Sequence, residues 1–149
     1  MEIRFAAMGD IQLLVRLRVD FFKALGELAD DETDLAKALE AYYTTQLRTG
    51  GFVACIAEAD SEAAGAAFMS RVNHLPKPGN LNGQFWHITN VFVYPAYRRQ
   101  GVADKLLDAL MARGRSEGPC TFDLTATQQG KSIYERAGFT PLPDAMRRV

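Results

Sequence analysis

Arg98, Arg99, Gln100, Gly101, Val102 and Ala103 follow the apolar run Val91-Phe92-Val93-Tyr94 and Pro95, and this combination can hold an anion. Pro95 stops a strand from extending its ladder. Gly101 has no side chain and Ala103 almost none, so an anion can approach the main chain closely. If a helix opens at this point, the unpaired N–H groups of its first turn and the positive end of its dipole converge on that anion. Arg98 and Arg99 add charge, and the arrangement suits a pyrophosphate.

The elements that position this loop follow from hydrophobic periodicity. Ile3–Phe5 reads as a short strand, and Asp10 can cap a helix carrying Ile11, Leu14, Val15 and Phe22 at helical spacing. A second helix begins after Asp30-Asp31, presents Leu35, Leu39, Tyr42, Tyr43 and Leu47, and stops at Gly50-Gly51. Phe52–Glu58 and Ala64–Val72 read as strands, Asn73–Gly83 as a Pro- and Gly-rich loop, and Gln84–Tyr94 as the next strand. A helix from about Gln100 to Arg113 buries Ala103, Leu106, Leu107, Leu110 and Met111. Cys120–Thr125 is a further strand, followed by a short helix at Lys131–Arg136 and strand-like pieces near Phe139 and Met146–Val149. The order β-α-α-β-β-β-α-β-α-β, with hairpins and one crossover, predicts an α/β protein with a mixed sheet, as one domain over residues 1–149.

Composition narrows the function classes. The chain has 149 residues, 48% of them hydrophobic and 23% charged. A chain of this size and make-up can bury a core without staples. A net charge of -1 argues against a general nucleic-acid or anionic-membrane binder. No apolar run reaches membrane-spanning length, and Met1-Glu2-Ile3-Arg4 opens no secretory hydrophobic region, so a cytoplasmic protein is expected. Cys55 and Cys120 read as buried core thiols, and no His or Cys spacing suggests a metal. Gly130-Lys131-Ser132 has the form of a P-loop tail. Thr125 stands where that motif needs glycine, and too little chain follows to complete such a sheet.

The stretch Val91–Ala103 closely resembles the acyl-CoA-binding signature of the GCN5-related N-acetyltransferase (GNAT) family, whose Arg/Gln-x-x-Gly-x-Gly/Ala loop is matched by Arg98, Gly101 and Ala103. Ile133-Tyr134-Glu135-Arg136-Ala137-Gly138-Phe139 is similar to the family's second signature, Tyr-Glu-x-x-Gly-Phe. The element order is similar too. The resemblance implies acetyl-CoA or another acyl-CoA as cosubstrate, without a metal. Its pantetheine arm is expected between the strands Gln84–Tyr94 and Cys120–Thr125, paired with main-chain groups at Val91, Phe92 and Val93. Its pyrophosphate is expected on Arg98, Arg99, Gln100, Gly101, Val102 and Ala103, and a main-chain N–H in the same strand is expected against the thioester oxygen.

Tyr134 matches the family's usual general acid, which protonates the departing thiolate, and a phenol suits that task because it is protonated at neutral pH. Many relatives place a Glu six residues before the valine of Val-x-Pro, where this chain has His87. Two readings stand for His87: proton acceptor for the amine, directly or through water, or an ordinary strand histidine. Thr127 replaces the Asn that contacts pantetheine in many relatives, and offers a hydroxyl of different reach. Lys131 meets a CoA phosphate or is solvated. The acceptor end is expected near Phe21–Asp34 and Asn73–Gly83. The acids Glu27, Asp30, Asp31, Glu32 and Asp34 there attract a cationic amine or simply cap a helix. Tyr42, Tyr43 and Trp86 line a substrate slot or pack in the core. Together these readings predict acetyl transfer to an amine without a covalent enzyme intermediate, in a family some of whose members dimerise. The alternative is a non-catalytic acyl-CoA sensor on the same fold.

Overall fold

The computed structural model describes residues 1–149, which form five strands and four helices. In chain order these are β1 (Glu2–Phe5), α1 (Ile11–Leu25), α2 (Glu32–Thr49), β2 (Phe52–Ala59), β3 (Glu62–Asn73), β4 (Gln84–Val93), α3 (Val102–Arg115), β5 (Thr121–Leu124) and α4 (Lys131–Arg136). One sheet runs β1-β2-β3-β4-β5. Its pairs are antiparallel except β4–β5, which are parallel and joined through α3.

Alternation along the strands gives the sheet two apolar faces. On one, Leu106, Leu107 and Leu110 of α3 pack on Cys55, Ala67, Met69, Trp86 and Ile88. On the other, Leu14 and Leu17 of α1 and Tyr43 of α2 pack on Phe52, Ile56 and Phe68. These leucines are fully buried. Each contributes about 1.5–3 kcal/mol by leaving water, so the two layers hold the sheet from both sides.

Several expectations change at this stage. Asp10 does not cap α1 with its side chain. Its carboxylate is taken by the Arg4 guanidinium at 2.8 and 2.9 Å and by the Ala7 N–H at 2.8 Å, which ties β1 to the turn before the helix. The strand-like pieces near Phe139 and Met146–Val149 are not strands. Pro141 and Pro143 remove two ladder donors from that stretch. The third long helix starts at Val102 rather than Gln100. Arg99 and Gly101 adopt left-handed φ values of 61° and 74°. A right-handed helix does not accept either value. Cys120 is only partly buried, and both thiols are free. Tyr43 and Trp86 belong to the core, whereas Tyr42 stays partly exposed and bonds Ser70 at 2.8 Å.

The feature that makes room for a site is a fork. Parallel pairing of β4 with β5 runs only from Phe85–Thr121 to Ile88–Leu124. Beyond it, Asn90 has φ of 56°, and the register with β3 slips between Ala66 and Phe68. A bulge of this kind bends its strand and increases local twist. The upper end of β4 therefore leaves β5, and its outward main-chain groups lose their neighbour.

Candidate active site

The fork opens a cleft of about 550 Å³. Val91, Phe92 and Val93 form one wall, Thr125, Thr127 and Gly130 the other, and Arg98, Arg99, Gly101, Val102 and Ala103 its rim at the start of α3. Ile133 and Tyr134 of α4 close the space, so two distant segments of the sequence meet across the parted strands.

The rim has the shape expected of an anion cradle. Arg99 and Gly101 are left-handed and stand directly before the long helix α3. Left-handed residues directly before a helix are a feature of anion-binding nests, where main-chain N–H groups converge. The conformation of Arg99 costs a non-glycine residue about 1 kcal/mol or more, a strain that clusters at ligand sites. A Cβ at Gly101 would meet nothing within 4 Å, so the space above this main chain is open to a ligand. Arg98 donates from Nε to the Val93 carbonyl at 2.9 Å and so ties the loop to the end of β4.

Gln100 differs from its neighbours. It borders a separate recess with Glu2, Glu58 and Ser61, and its side-chain amide donates to the Ala96 carbonyl at 3.4 Å. It is not among the residues lining the cleft.

Tyr134 sits on the short helix α4, held from both ends. Its N–H bonds the Gly130 carbonyl at 3.3 Å, and its carbonyl accepts from Phe139 N–H at 3.0 Å after the chain turns at Gly138. The Phe139 ring then packs edge-on at 6.1 Å from the Tyr134 ring. This explains the spacing Tyr-x-x-x-Gly-Phe: the last two residues return the chain onto the first. Burial alone raises the Tyr134 hydroxyl above the ordinary phenol range, so it stays protonated at neutral pH. Thr127 borders the cleft, and its hydroxyl oxygen accepts the Gly130 N–H at 3.1 Å. Its own proton remains to be donated to a ligand. Lys131 is exposed and lies outside the wall.

His87 is not among the residues lining the cleft. It lies on the rung below the fork, with Nδ1 2.7 Å from Asp123 Oδ1. One wall residue has no place in the sequence reading. Asn90 is only 3% exposed, lines the cleft, and neither its carboxamide nitrogen nor its oxygen has a protein partner. A buried amide left unpaired costs about 1–3 kcal/mol, so it is a group waiting for a polar ligand or water. The available signal is an asparagine just before the apolar run Val91-Phe92-Val93, a residue type that tolerates left-handed backbone.

The open main chain of β4, the orphaned Asn90 amide and the left-handed rim loop fit an elongated donor carrying amides and a pyrophosphate. No group of His, Cys, Asp and Glu side chains is arranged to hold a metal ion. No helix is long and apolar enough to cross a membrane.

Comparison with known proteins agrees with this geometry. The model of the acetyltransferase (GNAT) domain matches residues 28–148. A crystal structure of a predicted acetyltransferase with acetyl-CoA from Clostridium acetobutylicum superposes with a TM-score of 0.93 at 26% identity, covering 99% of this chain and 95% of that one. A GCN5-related N-acetyltransferase from Ralstonia eutropha gives 0.88 at 21% identity, over 99% and 97% of the two chains. Glucosamine-6-phosphate N-acetyltransferase from Arabidopsis thaliana gives 0.72 at 17% identity, over 99% and 97%. No curated protein matches the sequence significantly.

Proposed function

The chain belongs to the GNAT acetyltransferase family, and from that premise we propose that residues 1–149 act as one domain that moves an acetyl group from acetyl-CoA to an amine by direct attack. The observation that carries this reading is the fork: parted parallel strands, a left-handed loop at a helix start at one end and a half-buried phenol across the gap, all bordering one cleft.

The thioester supplies the activated acyl group, and this chain's residues do the rest. Main-chain groups at Val91 and the N–H of Val93 pair with the donor's arm, the Val93 carbonyl being already held by Arg98, and Asn90 offers its carboxamide to an amide of that arm. The nest at Arg98–Ala103 takes the pyrophosphate, with Gln100 contributing only its main-chain N–H. Tyr134 gives its proton to the sulfur as the C–S bond breaks. His87 accepts a proton from the amine, whose deprotonation at pH 7 costs about 4–5 kcal/mol for a lysine-like ammonium. The thiols support direct attack over a covalent route, since burial pushes the Cys55 thiol up to about 12 and raises that of Cys120 as well.

The acceptor is an amine of a small molecule or a peptide. The Arabidopsis neighbour's name carries glucosamine 6-phosphate, and another neighbour is an aminoglycoside acetyltransferase, so both compound classes belong in the first panel. The test is release of free thiol from acetyl-CoA in the presence of these amines, amino acids and lysine peptides. Tyr134→Phe is expected to lower turnover by about 100-fold or more while leaving acetyl-CoA affinity unchanged. Equal turnover in the variant would remove Tyr134 from the mechanism.

A further inference from the structure

Across the sheet, Phe52 of β2, Ser70 of β3, His87 of β4 and Asp123 of β5 stand side by side in register. Trp86 and Ile88 flank His87 and pack toward α3, as Phe122 and Leu124 do around Asp123. Alternation therefore turns His87 and Asp123 to the opposite face, where Tyr42 of α2 bonds Ser70 at 2.8 Å. The two side chains are 39% and 35% exposed, so a solute reaches them, and they lie one rung below the last pair of the ladder. The next residue of β4 on that face is Thr89, at the mouth of the fork.

The 2.7 Å contact between His87 Nδ1 and Asp123 Oδ1 has a consequence for tautomerism. A carboxylate only accepts, so neutral His87 must carry its proton on Nδ1 and present the Nε2 lone pair outward. We propose that Asp123 is a positioning residue that holds His87 as the Nδ1–H tautomer, so that Nε2 takes the acceptor's proton from the α1–α2 face of the sheet. The role rests on the acetyl-transfer reading above. In balance, the ammonium gives one proton to Nε2, which passes it to solvent. The C–N bond forms as the C–S bond breaks, and Tyr134 gives its proton to the thiolate. The second nitrogen proton then restores Tyr134 through solvent, for a net yield of amide, thiol and one released proton.

The test pairs a spectrum with kinetics. Long-range ¹⁵N–¹H NMR of the ligand-free protein is expected to report His87 as Nδ1–H, and Asp123→Asn, which can turn its NH₂ toward Nδ1, is expected to switch it to Nε2–H. With the panel amine of highest turnover, Asp123→Asn is expected to lower kcat about 100-fold with KM for acetyl-CoA unchanged. Asp123→Glu is expected to restore part of the loss, and His87→Ala combined with Asp123→Asn is expected to be no slower than His87→Ala alone. An Nε2–H tautomer in the native protein, or an active native enzyme with Asp123→Asn at full kcat, overturns the dyad while leaving acetyl transfer intact. A native protein that releases no thiol with any amine overturns the acetyl-transfer reading and the role given to Asp123 with it.

Discussion

Along β4, the lower end from Phe85 to Ile88 is closed against β5, whereas the upper end from Asn90 to Val93 stands open. At the closed end the main chain is fully used in the ladder, so any chemistry must come from side chains such as His87 and Asp123 that project from it. At the open end the proposed function makes the main chain itself the binding surface, and the side chains that matter are those that stay out of its way. The difference teaches that one strand can serve two partners by two means. Main-chain recognition demands small residues and unusual backbone angles, while side-chain recognition demands register.

The most damaging way to test the open end is to fill it. Gly101 and Gly50 have nearly equal left-handed φ values, 74° and 78°, and a Cβ at either meets nothing within 4 Å. Gly50 ends α2 and lies outside the cleft; Gly101 lies on its rim. Valine at either position should cost about 1–2 kcal/mol of stability, read by urea unfolding. Only Gly101→Val is expected to lower kcat/KM for acetyl-CoA, by about 10–100-fold, the value of one or two charge-assisted hydrogen bonds. Equal kinetic losses in both variants would mean that strain, not occupancy of the rim, is responsible.

The same contrast explains what can be read from the chain alone. Pro95, Gly101 and Ala103, and the Tyr134–Phe139 return, are local requirements of the backbone, so they are visible in a few consecutive residues. The Asp123–His87 pair depends on which rung of a parallel ladder each occupies, 36 residues apart, and no local pattern encodes that. The fork is implied by the family resemblance, which places the donor between Gln84–Tyr94 and Cys120–Thr125, but the residues alone read Gln84–Tyr94 as one even strand and do not mark Asn90 and the slipped register as the point of departure. Gln100 reads as a phosphate ligand from the company of its neighbours, but its side chain donates to the Ala96 carbonyl and does not line the cleft. Asp10 is similar, since its work depends on Arg4 arriving from β1.

Asn90 stands where the two ends meet, which makes it a finer test. Asn90→Gly keeps the left-handed φ available and removes only the orphaned amide. Loss of an unpaired buried polar group offsets the added backbone entropy, so stability is expected to change by less than about 1 kcal/mol. Affinity for acetyl-CoA, followed by calorimetry, is expected to fall about 3–10-fold, one hydrogen bond's worth. A large loss of stability with unchanged affinity would make the amide a structural group.

The smallest expected effect concerns the strut that holds the open end to the helix layer. Tyr94 follows β4 directly, and its hydroxyl donates to Asp20 of α1 at 2.6 Å. Burial, and then that hydrogen bond, push its hydroxyl up to about 12. A folded value above the unfolded one, about 10, favours the protonated form in the native state. The contribution is therefore fully present below about pH 10 and is lost as pH rises from there to about 12. Tyr94→Phe is expected to cost about 1 kcal/mol at pH 7, since the pair is partly exposed, and to flatten the fall of stability across the range from about pH 10 to about pH 12. Because the strut touches neither the nest nor Tyr134, kcat and KM for acetyl-CoA are expected to stay within about twofold. A tenfold rise in KM would instead mean that α1 sets the angle at which β4 leaves the ladder, and the open end would then owe its shape to the helix layer as well as to Asn90.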